Sequence, residues 1–314
     1  MKSVLVSDKV HPLLIEGLEY MGMMVVYKPK MPYEEVKKVI RDYNGIIINS
    51  KVICDRSFLE ENRHLEFIGR LGSGLDIVDL PVAKALNIEV IRSPEGNANA
   101  VAEHAIGMLL CLINNITRAT QEVSQLYWNR EANRGIELEG RTLGIYGFGY
   151  TGSALAAKKL QSWDMNLITY DKYRDDIEQD YRYVSSVSLD QLISSSDILS
   201  IHLPLTAETR GIINDDLLRR CKPGTIIINT SRGPILKTRD LLDHLKTGHI
   251  AGACLDVLEN EKMDHLSTEQ RHVYSELLAM DQVIATPHVA GWTQESLVKI
   301  AEHLLLKISR FYSQ

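Results

Sequence analysis

Three side chains able to hold an anion and move a proton follow predicted strands in the second half of the chain. Arg232 comes after the apolar run TIIIN, Glu261 after HIAGACLD, and His288 after QVIAT. Arginine binds a carboxylate through two parallel hydrogen bonds, and histidine transfers a proton near neutral pH. A carboxylate beside the histidine favours the imidazolium form. This set suits interconversion of a 2-hydroxy acid and a 2-oxo acid, although each residue taken singly is more often structural.

A glycine-rich segment, GIYGFGYTG, predicts a second kind of chemistry. Gly147, Gly149 and Gly152 form a G-x-G-x-x-G directly after a predicted strand and before a predicted helix, SALAAKKLQSW. In that context the first glycine allows a tight turn, the second lets a pyrophosphate approach, and the third lets the helix pack closely. The free N–H groups of the helix N-terminus favour phosphate. The alternative is a glycine turn that binds nothing.

Asp171 makes the dinucleotide interpretation stronger. It ends the predicted strand NLITYD, nineteen residues beyond Gly152. An acid there accepts hydrogen bonds from the adenosine ribose hydroxyls and repels the 2′-phosphate of NADP. The sequence therefore predicts NAD as the cofactor, while Lys172, which follows directly, leaves the strictness of that preference open.

The elements that must position these residues alternate along the chain. Short β-branched runs and amphipathic stretches succeed each other, which predicts βαβ units and parallel sheets covered on both faces. The first series of predicted strands is Val4–Ser7, Val25–Tyr27, Ile46–Ile48, Phe67–Arg70 and Val90–Ile91. The second is Thr142–Tyr146, Asn166–Tyr170, Ile198–His202, Thr225–Asn229, Ile250–Leu255 and Gln282–Ala285. Helices are predicted over Pro12–Tyr20, Tyr33–Arg41, Arg56–Glu61 and Pro81–Leu86.

The apolar pattern from Asn99 to about Leu126 predicts one long helix joining the two series. Tyr127–Arg141 is polar and predicts an arm or loop. The final predicted helix, Gln294–Phe311, can fold back onto the first series, so the domain boundary is crossed twice. We therefore expect a substrate-binding domain formed by residues 1–98 and 291–314, with a Rossmann domain, 99–290, inserted into it.

Composition excludes several classes of protein. The 314 residues carry a formal net charge of −6, which argues against nucleic acid and anionic membranes as partners. The four cysteines form no CxxC pair and no zinc-like cluster with histidine, so we predict reduced thiols and no metal. The N-terminal apolar stretch is too short for a signal peptide, and the longest apolar run, nine residues, is too short to span a bilayer. We expect a cytoplasmic protein.

Seven segments, in this order, resemble the NAD-dependent D-2-hydroxyacid dehydrogenases, and within that family most closely the D-3-phosphoglycerate dehydrogenases. The segments are RLGSGLDIVDL (70–80), NANAVAEHAIGMLLCL (97–112), GRTLGIYGFGYTG (140–152), HLPLTAETRGIIN (202–214), INTSRGPIL (228–236), AGACLDVLENE (251–261) and TPHVAGWT (286–293). The resemblance implies two similar α/β domains, the cofactor domain inserted in the substrate domain. It also implies a homodimer formed through the cofactor domain, around residues 99–140.

The resemblance assigns roles to individual residues. Arg232, Glu261 and His288 match the family's catalytic residues. Its cofactor contacts fall, with the glycine loop, on Ser73, Gly147, Gly149, Tyr150, Thr151, Gly152, Asp171, Leu203, Pro204, Thr230, Ser231, Asp256 and Gly291. Its substrate contacts fall on Asn49, Ser50, Lys51, Arg70, Gly72, Gly74 and Arg232. The N–H groups of the 72–74 loop can cradle a carboxylate.

Several departures from the family pattern bear on the substrate. Lys262 stands where proline often follows the glutamate, and 27 positions separate Glu261 from His288, so we expect a remodelled loop. Asn49 stands where phosphoglycerate enzymes usually carry arginine, leaving Arg70 or Lys51 to meet a phosphate. The chain ends soon after its last predicted helix, so we expect no C-terminal regulatory domain.

Three functions remain open from the sequence. The leading one is oxidoreduction of 3-phosphoglycerate and 3-phosphohydroxypyruvate with NAD(H). The second is a glyoxylate/hydroxypyruvate-type or other 2-oxo acid reductase. The third is an NAD-binding interaction protein like the corepressors built on this fold, which the intact Arg232, Glu261 and His288 argue against.

Overall fold

Two parallel sheets, each with helices on its faces, make up the molecule, as the alternation of elements predicts. The computed structural model describes residues 1–156 and 163–313. Met1–Ala98 and the chain from Trp292 onward form one compact unit, and Asn99–Gly291 forms the other. The second unit is thus inserted into the first, and we call them the first unit and the second unit.

The first unit contains a five-stranded sheet in the order β2-β1-β3-β4-β5. Its strands are β1 (Ser3–Val6), β2 (Met24–Tyr27), β3 (Gly45–Ile48), β4 (Phe67–Arg70) and β5 (Glu89–Arg92). Its helices are α1 (Pro12–Tyr20), α2 (Tyr33–Val39), α3 (Arg56–Glu61), α4 (Leu80–Ala85), the start of α5 (Glu95–Ile113) and α13 (Gln294–Ser313). The strand order reverses between β1 and β3, and ligands bind at such a switch point in doubly wound sheets.

The second unit contains a seven-stranded sheet in the order β12-β11-β10-β9-β6-β7-β8. Its strands are β6 (Thr142–Tyr146), β7 (Asn166–Tyr170), β8 (Val184–Ser186), β9 (Ile198–Ile201), β10 (Thr225–Asn229), β11 (Ile250–Leu255) and β12 (Val283–Ala285). Its other helices are α6 (Ile116–Ser124), α7 (Tyr150–Ala154), α8 (Ile177–Asp180), α9 (Leu189–Ser195), α10 (Asp215–Arg220), α11 (Thr238–Lys246) and α12 (Thr268–Leu278). Here the order reverses between β6 and β9, beside the glycine loop.

Strand composition explains why the sheets form where they do. All five residues of β10, TIIIN, are buried, and so are all four of β3 and β9. A strand buried on both faces reads as a continuous apolar run, whereas an edge strand such as β2 is partly exposed. Core residues from both faces therefore fix the register, and with it the positions of the loops at the strand ends.

The observed elements differ from the predicted ones in two places. The predicted helix Asn99–Leu126 is wrong as a single element: α5 ends at Ile113, and α6 begins at Ile116. Asn115 between them has a φ of +52°, a left-handed conformation that asparagine tolerates better than most residues. The short strand β8 was not predicted, because Ser185 and Ser186 are exposed and give no apolar run. Part of the predicted helix SALAAKKLQSW lies outside the described residues.

Helix α5 is the only stretch in the described part of the chain long and apolar enough to cross a membrane. It has 19 residues, and 61% of the 18-residue segment that is apolar enough is buried inside the protein. Ala102, Ala105, Leu109 and Leu112 of this helix pack in the core formed with β6, β10 and β11. These contacts are those of a core helix.

Candidate active site

The glycine loop after β6 has the geometry that close approach of a phosphate requires. Gly147 has a φ of +91°, and a Cβ there would lie 2.7 Å from the carbonyl oxygen of His202. A Cβ on Gly152 would lie 2.2 Å from the carbonyl oxygen of Gly147, so α7 can pack on the loop only with glycine at this position. Space is open at Gly149, where no described heavy atom lies within 4 Å of the Cβ position. Tyr150 and Thr151 form the first turn of α7.

Asp171 follows β7 directly and is tied to the glycine loop. Its Oδ2 accepts a hydrogen bond from the Phe148 N–H at 2.7 Å, and its Oδ1 accepts one from the Tyr173 N–H at 2.9 Å. A carboxylate has about four acceptor positions, so it can also accept from ribose hydroxyls. Lys172 pairs with Glu208, which raises the pKa of Lys172 and lowers that of Glu208.

The segment after β9 lies against the glycine loop. A Leu203 methyl carbon is 3.1 Å from the position of a Cβ on Gly147. The Pro204 carbonyl accepts a hydrogen bond from the Thr209 hydroxyl at 2.6 Å. His202 Nε2 lies 2.8 Å from the Ser200 hydroxyl, and desolvation lowers the pKa of His202 to about 4. This histidine is therefore neutral at pH 7.

The loop after β10 carries three candidate residues and is organised by Asn229. The Asn229 Oδ1 accepts hydrogen bonds from the Ser231 N–H at 3.1 Å and its hydroxyl at 2.8 Å. The Asn229 amide donates to the Arg232 carbonyl at 3.2 Å. In the described part of the chain, the buried Thr230 hydroxyl finds no hydrogen-bond partner. A buried hydroxyl costs free energy unless it is paired, so Thr230 is a natural partner for a bound ligand.

His288 and Glu261 form the pair expected of an acid–base site. The His288 Nδ1 lies 3.0 Å from the Glu261 Oε2. Both side chains are nearly half exposed, at 44% and 45%. Because Nδ1 faces Glu261, Nε2 is the nitrogen left to meet a substrate oxygen. The structure thus brings these two predicted residues together across 27 positions of sequence.

The turn that carries His288 is held by Asp256. His288 has a φ of +55°, a conformation that costs about 1–3 kcal/mol for a non-glycine residue and needs support. The His288 N–H donates to the Asp256 carbonyl at 2.8 Å. The buried Asp256 carboxylate accepts from the N–H groups of Val289 and Ala290, at 2.9 and 2.8 Å. Gly291 lies at the end of this turn.

Two residues that were not predicted as site residues support this turn. The Thr286 hydroxyl donates to the Asp256 Oδ1 at 2.6 Å. The His104 Nε2, from α5, lies 2.9 Å from that hydroxyl. Because His104 precedes Thr286 by 182 positions and lies within an apolar helical pattern, only the fold reveals that it supports the turn.

In the first unit, the predicted substrate residues gather at the β1/β3 switch point. The Arg70 guanidinium donates to the Asn49 Oδ1 at 3.0 Å, and the Asn49 N–H donates to the Asp8 Oδ2 at 2.7 Å. The Lys51 ammonium donates to the carbonyls of Ser7 and Pro29 and lies 3.5 Å from Asp8. Lys51 thus holds the loop together, which favours Arg70 over Lys51 as the cation for a ligand. Ser50 is exposed in the same loop.

The loop after β4 is positioned by β5. The Ser73 carbonyl accepts a hydrogen bond from Arg92 at 3.0 Å, and the Gly72 carbonyl accepts one from the Ser93 N–H at 3.2 Å. Gly72 has a φ of +108°. With its carbonyls directed to β5, the loop has the N–H groups of residues 72–74 available for an anion.

The residues of the second unit fit a bound dinucleotide. The open space at Gly149, the Asp171 carboxylate at a strand end, and the unpaired buried hydroxyl of Thr230 are separate observations that favour the same ligand. Arg232, Glu261 and His288 follow β10, β11 and β12, which are neighbours in the sheet. Among the described residues, no group of three or more His, Cys, Asp or Glu side chains is placed to hold a metal ion.

Comparison with known proteins places residues 106–290 in one family model, described as D-isomer specific 2-hydroxyacid dehydrogenase, NAD binding domain. The chain is 33% identical over 300 residues to a D-3-phosphoglycerate dehydrogenase of Archaeoglobus fulgidus, covering 95% of this chain and 55% of that protein. The chain spans about half the length of the phosphoglycerate dehydrogenases it matches.

Two other relatives match over most of their own length. A hydroxypyruvate reductase of Thermotoga maritima is 34% identical over 275 residues, covering 88% of this chain and 87% of that protein. A crystal structure of D-lactate dehydrogenase from Aquifex aeolicus, complexed with NAD and lactic acid, has a TM-score of 0.83 and 29% identity. That match covers 99% of this chain and 96% of the other.

Proposed function

The chain belongs to the D-isomer specific 2-hydroxyacid dehydrogenases, and we propose that it interconverts a D-2-hydroxy acid and its 2-oxo acid with NAD(H). The observation that carries this proposal is the 3.0 Å contact between His288 Nδ1 and Glu261 Oε2, on strand ends next to the Arg232 loop. The second unit binds the cofactor, and the first unit supplies the substrate loops.

Arg232, His288 and Glu261 each have a separate role in the proposed reaction. The cofactor, when bound, accepts or supplies the hydride. Arg232 holds the substrate carboxylate and polarises the 2-oxygen. In the oxidative direction, the His288 Nε2 takes the proton of the 2-hydroxyl group. Glu261 stabilises the resulting imidazolium, and in the reductive direction the proton returns by the same route.

For the substrate, we propose 3-phosphohydroxypyruvate and its reduced form first. Arg70 supports this choice, since its planar guanidinium matches phosphate oxygens. A second candidate, hydroxypyruvate or another unphosphorylated 2-oxo acid, is favoured by the surroundings of Asn49. Lys51 is held by main-chain carbonyls, and the Asp8 carboxylate, next to Asn49, opposes a phosphate.

The experiment that tests the proposed function is a panel of 2-oxo acids reduced with NADH. It contains pyruvate, glyoxylate, hydroxypyruvate and 3-phosphohydroxypyruvate. We expect turnover with at least one member, with the D-2-hydroxy acid as the product wherever C2 of the product is chiral. Binding of NADH without turnover of any member would favour the interaction-protein alternative instead.

The cofactor preference rests on Asp171. We expect Asp171→Ala and Asp171→Asn to lower the ratio of kcat/KM with NADH to that with NADPH by at least about tenfold, since removing one like charge beside the 2′-phosphate is worth more than about 1.4 kcal/mol. The asparagine variant keeps an acceptor for the Phe148 N–H, so it separates the charge from the hydrogen bond. The gain should come chiefly from better use of NADPH. Equal use of both cofactors by the wild type would contradict the role of Asp171.

We also infer a homodimer formed through α6 and the arm that follows it. Helix α6 has no buried residue, yet Ile116 and Val123 are apolar and nearly half exposed. Leu126 and Trp128, in the arm, are 94% and 80% exposed. Large exposed apolar side chains concentrated in one short segment support a protein–protein interface there.

Trp128→Glu should convert this dimer to a monomer at micromolar concentration. Burying one large aromatic side chain contributes roughly 1.5–3 kcal/mol, and a charge in its place must be desolvated. Light scattering coupled to size exclusion measures the change. The matched control is Tyr20→Glu in the first unit, because Tyr20 is even more exposed than Trp128 and its replacement should leave the dimer intact. A monomeric wild type would contradict the inference.

We also propose that the protein is cytoplasmic and that its partners are small molecules. The four cysteines are free thiols, and burial raises the pKa of Cys54 and Cys221 to about 12. Buried, protonated thiols fit a reducing compartment. The net charge of −6 gives no support for nucleic acid or membrane binding.

A further inference from the structure

The segment between Glu261 and His288 holds a helix that contacts the chain beside Glu261. Helix α12 begins with a capping box formed by Ser267 and Gln270. Its buried face includes Val273 and Leu277, which pack in the core of the second unit. Tyr274 is on the same face and is only 4% exposed. The segment between Glu261 and His288 therefore contains a helix that is packed into the core.

The Tyr274 hydroxyl accepts a hydrogen bond from the main-chain N–H of Asn260 at 2.8 Å. Asn260 in turn fixes the next residues, because its Oδ1 accepts a hydrogen bond from the Lys262 N–H at 3.0 Å. This Asx-type turn has Glu261 at its centre. The Tyr274 hydroxyl therefore holds the backbone before Glu261, and the Asn260 side chain holds the backbone after it.

The residues before Asn260 are held as well. A Cβ on Gly233 would lie 1.7 Å from the Leu258 carbonyl oxygen, so the loop of Arg232 and the loop of Glu261 are in direct contact. The Glu259 Oε2 accepts a hydrogen bond from the Thr238 N–H at 2.7 Å. Residues 258–260 therefore each have an anchor in the second unit, and Glu261 is the first exposed residue after them.

An anchored backbone matters here because the Glu261–His288 pair is exposed to solvent. Exposed ion pairs contribute little, since each side chain loses rotamer freedom and water screens the charges. Such a pair is well populated only when the backbone already places one carboxylate toward its partner. We propose that Tyr274 and Asn260 are positioning residues that hold the Glu261 carboxylate against the His288 Nδ1.

This inference rests on the proposed function for its kinetic test. Tyr274→Phe removes one hydroxyl and leaves the ring in the core. We expect kcat for 2-oxo acid reduction to fall by about three- to tenfold, as loss of one hydrogen bond typically gives. The alkaline limb of the pH profile should move to lower pH, since Glu261 then favours the imidazolium less. NADH affinity should change by less than about twofold.

Matched variants separate positioning from stability. Asn260→Asp keeps the acceptor for Lys262 and should retain most activity, whereas Asn260→Ala should behave like Tyr274→Phe. Tyr183→Phe is the control, because Tyr183 precedes β8 at the opposite edge of the sheet from β12. It should leave both kcat and the pH profile unchanged.

The decisive comparison is Tyr274→Phe made in the Glu261→Gln background. If Tyr274 acts through Glu261, the added change has no further effect on kcat. Additive losses, or a lower melting temperature with an unmoved pH profile, would overturn the inference and leave Tyr274 a structural residue.

A measurement that needs no turnover keeps this result distinct from failure of the proposed function. The ¹⁵N shift of the His288 Nδ1 at pH 7 reports its hydrogen bond to Glu261. In Tyr274→Phe it should move toward the value in Glu261→Gln. An unchanged shift would contradict the positioning role, even if no member of the substrate panel were turned over.

Discussion

Replacing His288 with alanine should lower kcat for 2-oxo acid reduction by at least about 100-fold, the usual loss when a general acid is removed. The loss is expected because the His288 Nδ1 contacts Glu261, which leaves Nε2 to transfer the proton to the substrate. NADH binding, followed by its fluorescence, should survive, since the glycine loop and Asp171 belong to other strand ends. The measurement is steady-state reduction at pH 7 with saturating NADH.

The matched control for this variant is His272→Ala in α12. Its side chain is 67% exposed and lies 3.9 Å from Glu276, so its loss should leave kcat within about twofold. If His288→Ala kept more than a tenth of the wild-type kcat, another group would have to supply the proton.

Replacing Arg70 with alanine should raise KM for 3-phosphohydroxypyruvate by at least about tenfold, because a charge-assisted hydrogen bond is worth roughly 1.5–3 kcal/mol. Arg232 and the 72–74 loop are assigned to the substrate carboxylate, so the phosphate needs a cation of its own. Small unphosphorylated 2-oxo acids lack that second anion, and their KM should barely change. KM measured for both kinds of substrate gives the answer.

Arg63→Ala supplies the control, since it removes one exposed arginine from the same unit. Equal losses on phosphorylated and unphosphorylated substrates would make Arg70 a structural residue that supports Asn49. Absence of wild-type activity on the phosphorylated substrate would instead favour the hydroxypyruvate-type alternative.

The parallel α/β architecture could be predicted because buried strands leave a strong signal. Strands such as TIIIN and GIII each contain three consecutive isoleucines, and their bounds in the structure agree with the pattern to within about a residue. The break between α5 and α6 was missed, although the Asn114–Asn115 pair marks the site. An apolar helical pattern continues across it, and periodicity alone does not register one residue with a positive φ.

The candidate site also contains residues that could be predicted from the sequence and residues that could not. Gly147, Asp171 and His288 could be singled out because each follows a strand and has an uncommon residue type for its place. His104, Asn229 and Tyr274 could not, since each acts through a neighbour that only the fold brings close. Side chains that position others look, in the sequence, like ordinary helix or strand residues.

The most direct test of the central claim follows the hydride itself. NADH carrying deuterium at both C4 positions is used to reduce the best panel substrate whose product is chiral at C2, and the product is examined by mass spectrometry and chiral chromatography. The account predicts one deuterium at C2 of the product and the D configuration. Product without deuterium at C2, or the L-hydroxy acid, would contradict it.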